Sequence, residues 1–333
     1  MNLKNKTILI TGGTGSFGNA FVKYSVENNL FKKIIIFSRD EMKQWFMKEK
    51  YKKYKQKLRF FIGDVRDYRR LEKSLIDVDY VIHAAATKIV PTAEYDPFEC
   101  VKTNVIGAMN VIDACINRNV VKVLALSTDK ACNPINLYGS TKLASDKLFI
   151  SANSTSNNKS PIFSIVRYGN VMGSRGSVIP LFINQIRNNK PITITDKSMT
   201  RFMMTMDDAL DLVIEAFKRG KNGDLFVKKT PAADISTLVM SLRNIFKKKN
   251  LIKLIGIRHG EKLHETLLNR EELSKARETK NYFIIKPDQR NLNYDKYFTK
   301  GIKSTKNKDY TSENTFRLNV NQMKKLILKS KLL

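Results

Sequence analysis

Apolar runs of strand length alternate with segments of helical spacing through the first half of the chain. The runs at 7–11, 33–37, 58–62, 80–83, 121–126 and 162–166 are rich in Ile, Val, Leu and Phe, while 17–26, 100–117 and 138–151 repeat apolar residues at helical intervals. Strand and helix in alternation predict an α/β fold built on a doubly wound parallel sheet. Beyond about Asn170 the alternation becomes irregular, and Pro180, Pro191, Pro231 and Pro287 punctuate shorter helices. The pattern predicts a first domain over residues 1–170, with a segment returning to it near 200–230, and a smaller second domain over most of 171–333.

The first run ends in TGGTGSFG, with Gly12, Gly15 and Gly18 three apart and a helical pattern directly behind them. Between a strand and a helix, such a loop offers backbone N–H groups and a helix N-terminus to a pyrophosphate. Gly12, Thr14, Gly15, Ser16, Phe17 and Gly18 are therefore candidate contacts for a dinucleotide, and the first domain reads as dinucleotide-binding. The tip of the second strand reads Ser38-Arg39-Asp40. An acid at this tip takes the ribose hydroxyls of NAD, whereas serine and arginine suit the 2′-phosphate of NADP. Ser38 and Arg39 favour NADP, with Asp40 one position on as the residue that speaks for NAD. Asp64 and Val65 after the third strand would lie beside the adenine, and Ala84, Ala85 and Ala86 after the fourth would line the dinucleotide.

The polar run Thr128-Asp129-Lys130 follows the strand at 121–126 and precedes Tyr138-x-x-x-Lys142 at the start of a helix. Residues four apart share a helix face, so the Lys142 ammonium can stabilise a Tyr138 phenolate. Free tyrosine titrates near about 10 and needs such a neighbour to act as a base at neutrality. Tyr138 and Lys142 suffice for simple hydride transfer; Asp129 and Lys130 add two further groups able to move protons. An adjacent acid and amine ordinarily form an ion pair, as they would on a surface turn. A dry pocket would shift them toward carboxylic acid plus amine, titrating as a unit.

Composition narrows the partners. A chain of 333 residues with 42% hydrophobic residues can bury a substantial core. The start, MNLKNKTILITGG, runs directly into the first strand, and no stretch reaches the ~20 apolar residues of a bilayer span. A cytoplasmic protein without membrane association is expected. Cys100, Cys115 and Cys132 form no C-x-x-C and read as reduced, buried thiols. The net charge of +29, with dense patches at 48–57 and 247–249, raises the question of nucleic acid. The other lysines are dispersed through an enzyme-like pattern, so no nucleic-acid partner is expected. His259 and His264 with Glu261 and Glu265 lack the H-E-x-x-H spacing, so no metal site is expected, and His83 reads as satisfying loop backbone groups.

The motifs TGGTGSFG, FSRDE, FFIGDVRD, AEYDPFECVKTN, LSTDKACNPINLYGSTK, RYGNVMGSRGSVIP, MTRF and RHGEKLHE together resemble the extended short-chain dehydrogenase/reductase enzymes. Within them they resemble the configuration-inverting UDP-N-acetylglucosamine 4,6-dehydratases. Sugar-nucleotide 4-epimerases would carry serines where Thr128-Asp129-Lys130 stands. Tyr138, where related dehydratases often have methionine, resembles the soluble inverting type associated with pseudaminic acid. RHGEK and the tail RNLNYDKYFTKG instead resemble the capsule and O-antigen group leading to N-acetyl-L-fucosamine. Both groups share the first chemical step.

The resemblance implies a Rossmann-like sheet with a smaller C-terminal substrate domain, tightly bound NADP recycled within each turnover, UDP-N-acetylglucosamine as substrate, and a homo-oligomer. It implies that Tyr138, helped by Lys142, takes the proton of the carbon 4 hydroxyl, that Lys130 as a neutral amine removes the carbon 5 proton, and that Asp129 protonates the departing carbon 6 hydroxyl. Inversion needs a proton on the opposite face of carbon 5, from Tyr138 or a water. Lys88 and Asn170 would face the sugar, with Thr128 hydrogen-bonding the substrate; Arg201 and Arg258 suit the diphosphate; Glu261 would bind a ribose or hold Arg258. Two other functions compete. A UDP-sugar 4-epimerase needs Tyr138 and Lys142 but neither Asp129 nor Lys130, and a non-catalytic NADP-binding regulatory module needs no acid or base at all.

Overall fold

The computed structural model describes residues 3–152, 161–287, 308–330 and 332–333. The tail RNLNYDKYFTKG at 290–301 lies outside the described residues. Strands β1 (Thr7–Thr11), β2 (Lys33–Ser38), β3 (Leu58–Ile62), β4 (Tyr80–His83), β5 (Lys122–Thr128) and β6 (Ile162–Tyr168) pair in parallel in the order β3-β2-β1-β4-β5-β6. This is the doubly wound order, in which winding reverses between β1 and β4 and opens a crevice at the strands' carboxyl ends.

The short strands β7 (Ile192–Ile194) and β8 (Thr200–Phe202) lie outside that sheet, to which the chain then returns. The helix Met206–Arg219 leads into β9 (Leu225–Lys228), parallel to β6. After β10 (Ala232–Asp234), β11 (Ile252–Leu254) and β12 (Thr266–Leu268), strands β13 (Ala276–Glu278) and β14 (Tyr282–Ile285) add antiparallel at the same edge, completing nine strands. The final strand, β15 (Tyr310–Thr311), pairs with β12, while β10 pairs with β8 and β11 with β7.

Alternate strand residues feed opposite layers, as a sheet covered on both faces requires. Leu9, Ile35, Val81, Val123 and Ile165 pack toward the helices Tyr68–Ser74, Gly107–Asn117 and Leu137–Ser151. Ile8, Ile34, Ile82, Leu124 and Val166 pack toward Ser16–Glu27 and Met206–Arg219. A third cluster, including Phe182, Ile192, Met203, Leu238 and Met323, joins the helices Val178–Arg187, Ile235–Phe246 and Val320–Lys329. Cys100, Cys115 and Cys132 are buried and free. No helix of the described residues is long and apolar enough to cross a membrane.

Two local devices position the site. The Asn136 side chain caps the helix Leu137–Ser151, accepting from the Gly139 N–H at 2.8 Å and placing Tyr138 in the first turn. The predicted helix at 100–117 is interrupted by a π-helical turn at Lys102–Ile106. The buried Asn104 side chain accepts from the Thr87 N–H at 2.8 Å and donates to the Thr87 carbonyl at 2.9 Å and the Thr141 hydroxyl at 3.0 Å. It thereby ties the loop after β4 to the Tyr138 helix, and side-chain demands of this kind are what a π turn accommodates.

Arg167, fully buried at the end of β6, joins three elements. It reaches Glu272 at 2.7 Å, Asp146 at 3.4 Å and the Leu267 carbonyl at 3.1 Å. Arg167→Leu would strand two carboxyl groups, one of them deeply buried, and should lower the unfolding free energy by about 3–5 kcal/mol, measured by urea denaturation.

Candidate active site

The glycine loop connects β1 to the helix Ser16–Glu27 across the switch point. Gly12 has φ +64°, and a side chain there would meet the Ala84 carbonyl and the Ala85 backbone at 2.9 Å. A Cβ on Gly18 would lie 2.2 Å from the Gly13 carbonyl, so this position brings helix and loop into direct contact. The helix begins at Gly15 with no side-chain cap and no acid in its first turn. Its first N–H groups are thus left for an anion, the arrangement a dinucleotide pyrophosphate requires. The loops carrying Ala84, Ala85 and Ala86 and carrying Asp64 and Val65 flank the same crevice. Thr11 Oγ1 accepts from the Ala84 and Ala85 N–H groups at 3.1 and 3.2 Å, and Asn110 holds the Val65 carbonyl at 2.9 Å.

At the tip of β2, Ser38 Oγ lies 2.7 Å from Thr14 Oγ1. Asp40 caps the next helix, accepting from the Lys43 N–H at 2.9 Å while its other oxygen pairs with Lys43 Nζ. Lys43 holds its carboxyl below the ordinary range, with Arg175 contributing. Arg39 is 61% exposed and 3.7 Å from Asp64, which Arg66 also grips. The sequence reading missed Arg175, whose N–H donates to Ser16 Oγ at 3.1 Å and whose carbonyl accepts from Lys88 Nζ at 2.9 Å. Only the fold brings residue 175 to the glycine loop.

The acid/base cluster sits at the end of β5. Asp129 is 1% exposed. Its Oδ1 accepts from the Thr128 hydroxyl at 3.0 Å and from Lys130 Nζ at 3.1 Å, whereas Oδ2 is buried with no partner. Burial pushes this carboxyl above its ordinary value against the pull of Lys130. Burial acts to lower Lys130, but Asp129 and Glu265 outweigh it and hold the ammonium above the usual lysine range. The expected neutral amine is therefore not the resting form.

Burial pushes the Tyr138 phenol up to about 12, opposed by Lys130 and by a hydrogen bond with Thr128. Helical spacing assigned the stabilising charge to Lys142. Lys130 also favours the phenolate, and burial lowers Lys142 against the attraction of Asp146.

Glu265, absent from the sequence-based site, is 2% exposed, with Oε1 at 3.1 Å from Lys130 Nζ. Lys130 and Arg201 outweigh burial and hold its carboxyl below the ordinary value. The only signal in the sequence was its place in RHGEKLHE, where histidine spacing drew attention to metal binding. Among the described residues no group of His, Cys, Asp and Glu could hold a metal ion, and His264 is bonded to Thr200 at 2.8 Å.

Arg201 donates to the Thr200 and Leu263 carbonyls at 2.7 and 3.2 Å and lies 3.5 Å from Glu261 and 3.8 Å from Glu265, so its fork is occupied within the protein. Glu261 holds Arg201 and accepts from the backbone N–H of Arg258, whose side chain is exposed. Asn170 keeps a buried Oδ1 without a partner, and burial lowers Lys88. His83 reaches the backbone only through Thr11, whose hydroxyl lies 2.9 Å from Nδ1; burial depresses its pKa to about 3.

A family model described as "Polysaccharide biosynthesis protein" matches residues 8–287, and one described as "Polysaccharide biosynthesis protein C-terminal" matches 288–333. The chain belongs to this polysaccharide biosynthesis family. The family is of the nucleotide-sugar dehydratase/epimerase type of extended short-chain dehydrogenase/reductase. A protein of Rickettsia bellii (strain OSU 85-389) named "UDP-glucose 4-epimerase" is 50% identical over 328 residues, 97% of this chain and 96% of the relative. The X-ray structure of Pen from Bacillus thuringiensis is 39% identical with a TM-score of 0.90, covering 99% of this chain and 100% of that one. DesIV, a dTDP-glucose 4,6-dehydratase from Streptomyces venezuelae solved with NAD bound, shares the fold at 20% identity, with a TM-score of 0.69 over 77% of this chain and 86% of its own.

For this family member, the raised Asp129 carboxyl has a measurable cost. The folded state binds the Asp129 proton more tightly than the unfolded state, so stability is lost as pH rises above the ordinary value of 3.8 toward the folded one. Asp129→Asn removes that loss. The variant should unfold at a higher temperature than the parent at pH 7, and the gap should close as pH falls toward the ordinary aspartate range.

Proposed function

We propose that the protein is an NADP-dependent UDP-N-acetylglucosamine 4,6-dehydratase that inverts carbon 5. The observation that carries this reading is Asp129: a buried carboxyl with two donors on Oδ1 and none on Oδ2. An oxygen in that position is suited to carry and donate a proton. A 4-epimerase has no step that uses it. The motif resemblance supports the sugar nucleotide, and the uncapped glycine-loop helix supports a dinucleotide.

The bound dinucleotide supplies the hydride acceptor at carbon 4 and the hydride donor at carbon 6. Tyr138 removes the carbon 4 hydroxyl proton, its phenolate favoured by Lys130 and Thr128. The carbon 4 ketone acidifies carbon 5, Lys130 takes that proton, and Asp129 protonates the carbon 6 hydroxyl as it leaves. One proton leaves the carbon 4 oxygen and one enters the departing water. Ser38, Arg39 and Arg175 support a 2′-phosphate, since Asp40 is already engaged by Lys43. The exposed side chains of Tyr95, Phe98, Ile106 and Met109, on helices flanking the sheet, support a homo-oligomer.

The names of the curated relatives favour a second reading, a UDP-sugar 4-epimerase. Incubation with UDP-N-acetylglucosamine in deuterated water separates the two. A dehydratase yields a 4-keto-6-deoxy sugar with deuterium at carbon 5; recovery of UDP-N-acetylgalactosamine alone would establish the epimerase. Lys130→Met should abolish the deuterium exchange while leaving dinucleotide binding intact. Arg39→Ala should weaken NADP by roughly tenfold or more, the scale of one charge-assisted hydrogen bond, and leave NAD affinity unchanged in calorimetry.

A further inference from the structure

Lys130 Nζ lies 3.1 Å from Asp129 Oδ1 and 3.1 Å from Glu265 Oε1, and both carboxyl groups are almost completely buried. A single ammonium shared by two buried carboxyl groups leaves the one with less support from its surroundings the readier to hold a proton. Their surroundings differ. Glu265 has a second cation, Arg201 Nε at 3.8 Å, and its backbone N–H donates to Ser312 at 2.9 Å. Asp129 has no second cation within ion-pair distance, and its Oδ2 has no donor. The other basic groups facing the cluster are Lys262 and Lys88, both lowered by burial, and burial raises the Tyr138 phenol.

We propose that Glu265 is a positioning residue of the acid/base set: as the carboxylate paired with Lys130 it leaves Asp129 a carboxylic acid, and it accepts the proton Lys130 must shed to become a base. The second half of this role rests on the dehydratase reading. The proton balance closes. Before carbon 5 is attacked, an N–H bond of Lys130 breaks and an O–H bond forms on Glu265, giving a neutral pair. Lys130 then takes the carbon 5 proton and is an ammonium again, while Asp129 gives its proton to the departing hydroxyl. Tyr138 enters the cycle as a phenolate, takes the carbon 4 hydroxyl proton, returns it to carbon 5 and is a phenolate again. The proton stored on Glu265 passes through Lys130 to Asp129, restoring acid, ammonium and carboxylate without exchange with solvent and without redox change beyond the two hydride steps.

The test uses the full chain. Infrared difference spectra between the parent and Asp129→Asn, recorded without substrate, isolate the Asp129 carboxyl band. A protonated band at pH 7 in the parent is expected; its absence there overturns the proposal even if no variant folds. In Glu265→Gln, Asp129 becomes the sole carboxylate for Lys130 and the protonated band should vanish, while Glu265→Asp should retain it. A band unchanged in Glu265→Gln also overturns the proposal. With UDP-N-acetylglucosamine, Glu265→Gln should still reduce the dinucleotide but lose carbon 5 exchange by roughly 100-fold or more, with the high-pH limb of water loss moved to lower pH. Exchange at the parental rate would remove Glu265 from the proton path. A parent that forms no 4-keto-6-deoxy sugar would defeat the dehydratase reading, yet the infrared result would still decide where the charge lies.

Discussion

The shared ammonium of Lys130 is the interaction around which the site is organised. It sits between two buried carboxyl groups, and each element that approaches it does so to settle where the charges lie. Strand β5 delivers Asp129 and Lys130 as neighbours, the capped helix delivers Tyr138, and the segment 261–265 brings in Glu265. Arg201 fastens that segment through backbone carbonyls and two glutamates. Without the second carboxylate, Asp129 and Lys130 would be an ordinary ion pair with neither group free to move a proton in the useful direction.

Burial is what makes the groups chemically useful, and it is also what makes them unfavourable. Asp129 and Glu265 each keep an oxygen without a partner, as does Asn170 nearby. Buried charge elsewhere is paired: Arg167 engages Asp146, Glu272 and a carbonyl while its Nε keeps no partner, and Lys122 donates to the Phe217 and Gly220 carbonyls at 2.8 and 2.9 Å.

The sheet was legible because its strands are short, apolar and separated by helical periods, and local sequence determines each of these properties. The glycine loop was legible because Gly12 and Gly18 answer local steric demands. Glu265 and Arg175 were not, because nothing in their neighbourhoods along the chain distinguishes them. Their importance comes from contacts with residues more than a hundred positions away, Lys130 for one and Ser16 for the other. The π turn at Lys102–Ile106 was hidden for a related reason: the helical period continues through it, and only the partners of Asn104 reveal the extra residue. Asp40 shows the converse, a residue at a suggestive position whose side chain is engaged by its own helix.

Ser312 carries a consequence for the order in which the molecule is completed. Its hydroxyl accepts the Glu265 N–H at 2.9 Å, donates to the Thr200 carbonyl at 3.2 Å and lies 2.6 Å from the Thr200 hydroxyl, close to the end of the chain. Strands β1 to β6 are all made before residue 170, yet this brace of Glu265 emerges from the ribosome some 140 residues later. The carboxyl cluster is therefore among the last features of the molecule to be completed during synthesis.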